Sequence, residues 1–290
     1  MLPISRILMP VDFSERCRRM IPYVKVIAEK YDAEVTLLHV VNPFIAVPPT
    51  GLSGPAMIPI PQFHVEERRK QLDEFAVAEL QDVRARRVLY EGDPVGQIVA
   101  FTQSEEVHLI AMPTHGYGVF RRFLIGSDTA KILHDVACPV LTSVHLEGLP
   151  IDQNPTFSNI LCAIDLGSQS HVTLEYASRL AVDFQAKFSI VHAISPPDPR
   201  VLLLASPEFQ MEVDRIVRQD IERIQSVAGV EADSVLIEEG EPAKTVCSAA
   251  KSLGADLLII GRGSQDGETG RLRTNAYAII RLSSCPVISI

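Results

Sequence analysis

The chain repeats itself, and the repeat limits it to folds that can be built twice from one supersecondary plan. Ile7-Leu8-Met9-Pro10-Val11-Asp12 returns as Ile160-Leu161-Cys162-Ala163-Ile164-Asp165, and Leu38-His39-Val40 returns as Val191-His192-Ala193. Later landmarks keep their order: Glu91-Gly92-Asp93-Pro94 with Glu239-Gly240-Glu241-Pro242, Leu109-Ile110-Ala111 with Leu257-Leu258-Ile259, and Ala137-Cys138-Pro139-Val140 with Ser284-Cys285-Pro286-Val287. Two units of ordinary domain size fit the 290 residues. The expected domains are 1–147 and 157–290, joined by a linker at 148–156 where Pro150, Asp152, Asn154 and Pro155 interrupt any apolar periodicity.

Within each unit, short apolar runs of strand length alternate with longer amphipathic stretches, the pattern of a parallel sheet flanked by helices. The fold class is therefore α/β, with two tandem Rossmann-like units of five parallel strands each. Strands are expected near 5–11, 35–41, 86–91, 108–113 and 139–144, and again near 159–165, 188–194, 234–239, 256–261 and 286–290. Ser14 reads as a helix N-cap followed by Cys17, Ile21, Val24 and Ala28 at helical spacing, with Pro22 expected to loosen or kink an early turn. Pro94 suits a helix's first turn. Residues 42–61, with six prolines plus Phe44 and Met57, read as a long surface loop, or alternatively a lid.

Charge and composition exclude several classes. A net charge of −9 argues against a broad nucleic-acid-binding face. The five cysteines, Cys17, Cys138, Cys162, Cys247 and Cys285, form no C-x-x-C pair, which points away from a disulfide framework or zinc knuckle and toward a reducing compartment. Apolar runs fall far short of the roughly 20 residues of a membrane helix, and the first residues carry no signal-peptide pattern. A soluble cytoplasmic protein, with no membrane or nucleic-acid partner, is the expectation.

In an open parallel sheet, ligands bind beyond the carboxyl ends of the strands where the connection order reverses. Two segments of the first unit suit that place. One is Pro10-Val11-Asp12, a carboxylate ending an apolar run. The other is Pro113-Thr114-His115-Gly116, a short loop, then Gly126-Ser127-Asp128-Thr129 leading into Ile132, Leu133 and Val136. A glycine before a helix lets the backbone approach a phosphate, and the first helical amides point at the anion. The Ser127 and Thr129 hydroxyls would add donors.

With these residues the chain resembles the universal stress protein family, whose ATP-binding members carry Gly-x-x-Gly, nine residues, then Gly-Ser or Gly-Thr. Gly116, the nine residues 117–125 and Gly126-Ser127 match that pattern, as do the opening Ile7–Glu15 and the closing Ala137–Leu141. The resemblance covers essentially the whole chain, twice. It implies that Pro10, Asp12 and Val40 line the adenine end, that Met112, Pro113, His115 and Gly116 form the ribose and phosphate loop, and that Gly126, Ser127, Asp128 and Thr129 meet the phosphates of ATP carried with Mg²⁺. It also implies that the final strands, Val140–Ser143 and Val287–Ile290, pair, so the two units form an intramolecular pseudo-dimer, with a homodimer possible beyond it. Pro113 departs from the motif by removing an N–H, and Asp128 brings a carboxylate that either favours the helix start, holds the metal or repels the nucleotide. Arg121 and Arg122 would offset that charge.

The second unit reads Gly261-Arg262-Gly263-Ser264, nine residues, then Thr274-Asn275, which places Ser264 and Thr274 where the glycines stood. A β-branched threonine disfavours positive φ and close approach, so the phosphate loop is expected to be degenerate and nucleotide to be held mainly by the first unit. Arg262, Arg271 and Arg273 read as a solvated basic loop or an anion site. His39 and His192 read as packed, satisfied imidazoles, Cys138 and Cys285 as small buried side chains, and Glu66–Lys70 as a solvated helix face.

The leading function is an ATP-binding stress-response or regulatory protein whose protein partners the sequence does not name. The alternatives are a ligand-free interaction scaffold and a slow ATP hydrolase; no acid–base pair and no Gly-x-x-x-x-Gly-Lys-Ser/Thr motif supports fast turnover.

Overall fold

The computed structural model describes residues 2–42, 44–46, 56–58, 61–114, 126–143, 154–195, 207–263 and 274–290. The chain divides into two compact units. One comprises Pro3–Val140; the other comprises Thr156–Ile290 and takes in Leu2 and residues 141–143.

The first unit runs β1 (Arg6–Pro10), α1 (Glu15–Tyr31), β2 (Glu34–Val41), β3 (Phe44–Ala46), β4 (Ala56–Ile58), α2 (Gln62–Glu74), β5 (Ala85–Glu91), α3 (Pro94–Ser104), β6 (Leu109–Pro113) and α4 (Ser127–Asp135); the strand that follows, β7 (Val140–Ser143), belongs to the second unit from Leu141 onward. Its sheet has the order β5-β2-β1-β6, all parallel, with Ile7 beside both Val35 and Leu109. Ile7, Leu8, Met9, Leu37, Leu109 and Ile110 are almost wholly buried, as the unbroken apolar runs of a sheet covered on both faces require. The second unit repeats the plan with β8 (Asn159–Ala163), α5 (Ser170–Phe184), β9 (Lys187–Ile194), α6 (Pro207–Ala228), β10 (Ser234–Glu239), α7 (Pro242–Ser252), β11 (Leu257–Ile260), α8 (Thr274–Leu282) and β12 (Val287–Ser289). Its parallel order is β10-β9-β8-β11-β12. Within that unit Thr142 Oγ1 donates to the Val287 carbonyl at 3.3 Å.

In each sheet the chain adds strands outward on one side and then jumps back across its first strand, so the reversal lies between β1 and β6 in one unit and between β8 and β11 in the other. Small details of the repeat survive as hydrogen bonds. Gly92 N donates to the Val41 carbonyl as Gly240 N does to Ile194, and Ile110 N to Pro139 as Leu258 N does to Pro286.

Two local expectations change, after one that the helix accommodates. Pro22 lies inside α1, which is assigned as one helix from Glu15 to Tyr31, with the proline buried beside Met20, Ile21 and Val24. Residues 42–61 are not loop throughout, because β3 and β4 form an antiparallel pair with Phe44 opposite Ile58 and Ala46 opposite Ala56; most of the remaining segment lies outside the described residues. Cys138 is half-buried rather than fully buried, whereas Cys285 is buried. The linker 148–156 is described only from Asn154 onward.

Candidate functional site

The carboxylate that ends the first strand organises the cleft floor in both units. Asp12 Oδ1 accepts from Ser14 N at 2.9 Å, and Asp165 Oδ1 accepts from Gly167 N at 2.9 Å and from Ser170 Oγ at 3.1 Å. Each bond closes an Asx turn whose middle residue takes a left-handed conformation, Phe13 at φ 62 and Leu166 at φ 59. Ser14 then caps α1 by accepting from Cys17 N at 3.2 Å.

The paired histidines hold the same turn from the neighbouring strand. His39 Nδ1 donates to the Val11 carbonyl at 2.7 Å, and His192 Nδ1 donates to the Ile164 carbonyl at 2.9 Å, so the expected packed and satisfied imidazoles are found. The Phe13 ring lies 4.5 Å from His39 and 5.8 Å from Phe75, tying the turn to the residue that ends α2.

Burial pushes the His39 pKa below its ordinary value; the Val11 carbonyl opposes this, Arg68 and His64 add to it, and Asp12 opposes it. The unfolded imidazole takes a proton near pH 6.5, so acidification through that value stabilises the unfolded chain first. His39 therefore contributes stability that is present above about pH 6.5 and lost as pH falls toward the depressed folded value. Urea titrations at pH 7.5 and 5.5 are expected to show a smaller acid-induced loss in His39→Gln than in wild type; equal losses would show that this imidazole does not control the dependence.

At the switch point of the first unit, β1, β2, β6, α3 and α4 enclose a cleft of about 350 Å³. Pro10, Asp12, Val40, Met112, Pro113, Gly126, Ser127, Asp128 and Thr129 all line it, while His115 and Gly116 lie outside the described residues, as do Arg121 and Arg122. Sequence reasoning missed Cys17, Leu38, Pro94, Ile98 and Ile132, which also line it. The repeated Gly-Asp-Pro and Gly-Glu-Pro turns were the available signal for Pro94. Burial and then the Asp12 charge push the Cys17 thiol far up, so it is held protonated and is a poor nucleophile.

The N-termini of α1, α3 and α7 are closed by side chains, from Ser14, Asp93 and Glu241. Helix α4 begins at Gly126 without such a cap, so the amides of Ser127, Asp128 and Thr129 meet the cleft with no intrahelical acceptor. The two hydroxyls expected as phosphate donors already have acceptors: buried Thr129 Oγ1 donates to the Pro113 carbonyl at 3.4 Å, and exposed Ser127 Oγ donates to Asp128 Oδ1 at 3.3 Å. Gly126 has φ −57 and ψ 145, open to any residue, so its value there is the absence of a side chain rather than a positive φ.

The second unit has an equivalent cleft of about 430 Å³, lined by Asp165, His192, Ala193, Pro242, Val246, Gly261 and Gly263 together with Asn275, Ala276 and Ile279 of α8. The structure corrects the alignment of its phosphate loop. Helices α4 and α8 each have nine residues and bury their third, sixth and seventh: Thr129, Ile132 and Leu133 in one, Ala276, Ile279 and Ile280 in the other. Thr274 therefore stands in the place of Ser127 and Asn275 in that of Asp128, and Arg273, outside the described residues, holds the sequence position of Gly126. Counted from the matched positions Pro113 and Gly261, the helix starts one residue sooner in the second unit. Thr274 is thus not the residue that replaces the glycine; Arg273 is, so the second loop still lacks the side-chain-free position that Gly126 gives the first. Arg262 is likewise no solvated loop residue: it is buried, and its amide donates to the Ile290 carbonyl at 2.8 Å. Arg271, Arg273 and Ser264 lie outside the described residues.

Among the described residues no helix is long and apolar enough to cross a membrane, and no cluster of three or more metal-binding side chains occurs. Fold and clefts together define a tandem, doubly wound α/β protein with a cleft at the switch point of each sheet. The sequence model of the universal stress protein family matches residues 3–143 and 156–290, so the chain belongs to that family. A universal stress protein of Mycobacterium tuberculosis is 25% identical over 272 residues, covering 88% of this chain and 86% of the relative. One from Methanocaldococcus jannaschii is 30% identical over 139 residues, 47% of this chain and 80% of that protein. Among solved structures, a universal stress protein from Archaeoglobus fulgidus superposes with a TM-score of 0.71 at 22% identity, covering 99% of this chain and 98% of that one.

Proposed function

We propose that this chain is a nucleotide-responsive regulatory protein of the universal stress family, binding ATP or a related adenine nucleotide in the clefts at its switch points. The observation that carries the reading is the start of α4, where uncapped amides meet a cleft whose other wall is apolar and whose floor holds Asp12. Unpaired amides at the positive end of a helix suit phosphate, and Val40, Met112 and Ile98 offer a flat apolar wall to a purine. The second cleft supplies Ala193, Ile260 and Val246 at the matching places.

Mg²⁺ is bound in proteins through one or two carboxylates completed by substrate phosphates and water, and the oxygen donors present fit that habit. Asp12 in one cleft and Asp165 in the other would hold it; when bound, it would neutralise phosphate charge. The chain's own part is to position and enclose the nucleotide. Five free cysteines accord with work in the cytoplasm.

Titration calorimetry of the purified chain with ATP and Mg²⁺ is expected to give saturable heat. Flat titrations with ATP, AMP and adenosine at millimolar concentration would overturn the nucleotide reading and favour an interaction scaffold.

A further inference from the structure

Among the described residues the two clefts are matched wall for wall except at a few places, and one of those places carries charge. Asp12 is answered by Asp165, His39 by His192, Val40 by Ala193, Pro94 by Pro242, Ile98 by Val246 and Ile132 by Ile279. At the second residue of the phosphate-facing helix the first cleft has Asp128, a carboxylate, and the second has Asn275, a neutral amide. Asp128 also takes the Ser127 hydroxyl at 3.3 Å, so both the negative charge favoured at this helix end and the nearest hydroxyl are already supplied from within the chain. A second difference acts in the same direction: where β6 ends in Pro113, which has no N–H, the matching residue after β11 is Gly261, which keeps one.

We propose that Asp128 and Asn275 grade the two clefts by ligand charge, the second holding a polyphosphate nucleotide more tightly than the first, which favours an adenine ligand with fewer phosphates. The inference rests on the nucleotide reading above and adds to it which cleft takes which ligand. Its physical basis is that an exposed carboxylate at the mouth of the phosphate subsite, screened in part by water, repels each added phosphate charge, whereas contacts to adenine and ribose are the same with or without it. A discrimination of roughly tenfold per removed or added carboxylate, equal to about 1.4 kcal/mol, is the expected scale.

The test isolates each cleft in the full chain. Val40→Trp places an indole in the first cleft and leaves the second open; Ala193→Trp does the reverse. Calorimetry with ATP and with adenosine, in magnesium and again in EDTA, is expected to show ATP binding roughly tenfold more tightly to the Val40→Trp protein than to the Ala193→Trp protein, with adenosine differing far less. Adding Asp128→Asn to Ala193→Trp should tighten ATP by about tenfold, and adding Asn275→Asp to Val40→Trp should weaken it similarly, adenosine being unmoved in both. Equal ATP affinity in the two clefts with no response to Asp128→Asn would overturn the sorting, because Arg121 and Arg122 would then be cancelling the carboxylate. Weaker ATP binding in Asp128→Asn with magnesium would also overturn it, by making Asp128 a metal ligand. In either case adenine binding survives; loss of all binding to both single-cleft proteins and to wild type would instead remove the nucleotide reading itself.

Discussion

Adenine nucleotide at about 100 times its dissociation constant is expected to stabilise the unit that holds it by about 2.7 kcal/mol, and combining Val40→Trp with Ala193→Trp is expected to abolish the gain. A ligand that binds only the folded state shifts the folding equilibrium by mass action, so the effect needs no conformational change. Val40 on β2 and Ala193 on β9 are half-buried and line matching walls, so a larger side chain at either can extend into open cleft rather than into packed core. The unliganded double variant should therefore unfold near the wild-type midpoint while losing the nucleotide response. Each single variant keeps the response of the other cleft. Thermal unfolding of the four proteins with and without ATP and Mg²⁺ measures this directly, and a full response in the double variant would place the ligand outside both clefts.

The second large effect concerns the core that holds the clefts open. Leu8 lies in β1 between Thr36 of β2 and Ile110 of β6, and Leu161 lies in β8 between Ser189 of β9 and Leu258 of β11; both side chains are fully buried. Truncation to alanine removes buried methyl groups and leaves a cavity that a sheet covered on both faces closes only in part. Leu8→Ala and Leu161→Ala are each expected to cost about 2–5 kcal/mol. Because the chain forms two compact units, Leu8→Ala should lower the urea midpoint of one transition and Leu161→Ala that of the other. A loss below about 0.5 kcal/mol in either variant would show that its strand is not at the centre of its unit.

The strands were legible because each is an apolar run bounded by turn formers, and comparing two copies located them to within a residue or two. The pair β3 and β4 was not legible: three-residue strands are too short to show period two, and the prolines around them read as loop. Pro22 sits inside α1 despite its missing N–H, because the stability of α1 comes chiefly from the face it buries. Arg262 looked like a surface cation from its type alone, and only the packing after β11 shows it inside. Of the cleft residues, those in motifs were found, whereas Cys17, Ile98 and Ile132 were assigned to helices and could be placed on the cleft wall only once those helices were packed on the sheet.

By itself the amino-acid sequence determined the duplication, the α/β class, the family and the carboxylate at the end of each first strand, because these depend on local patterns and their order. It did not determine the register of the second phosphate loop. A motif counts residues along the chain, and Thr274 satisfied the count; a helix is phased by which of its faces is buried, and that phase aligns Thr274 with Ser127 and Asn275 with Asp128. That Asn275 answers Asp128 follows from that phase, since the sheet and the packed helices, rather than the spacing of glycines, fix which side chains reach the ligand's place.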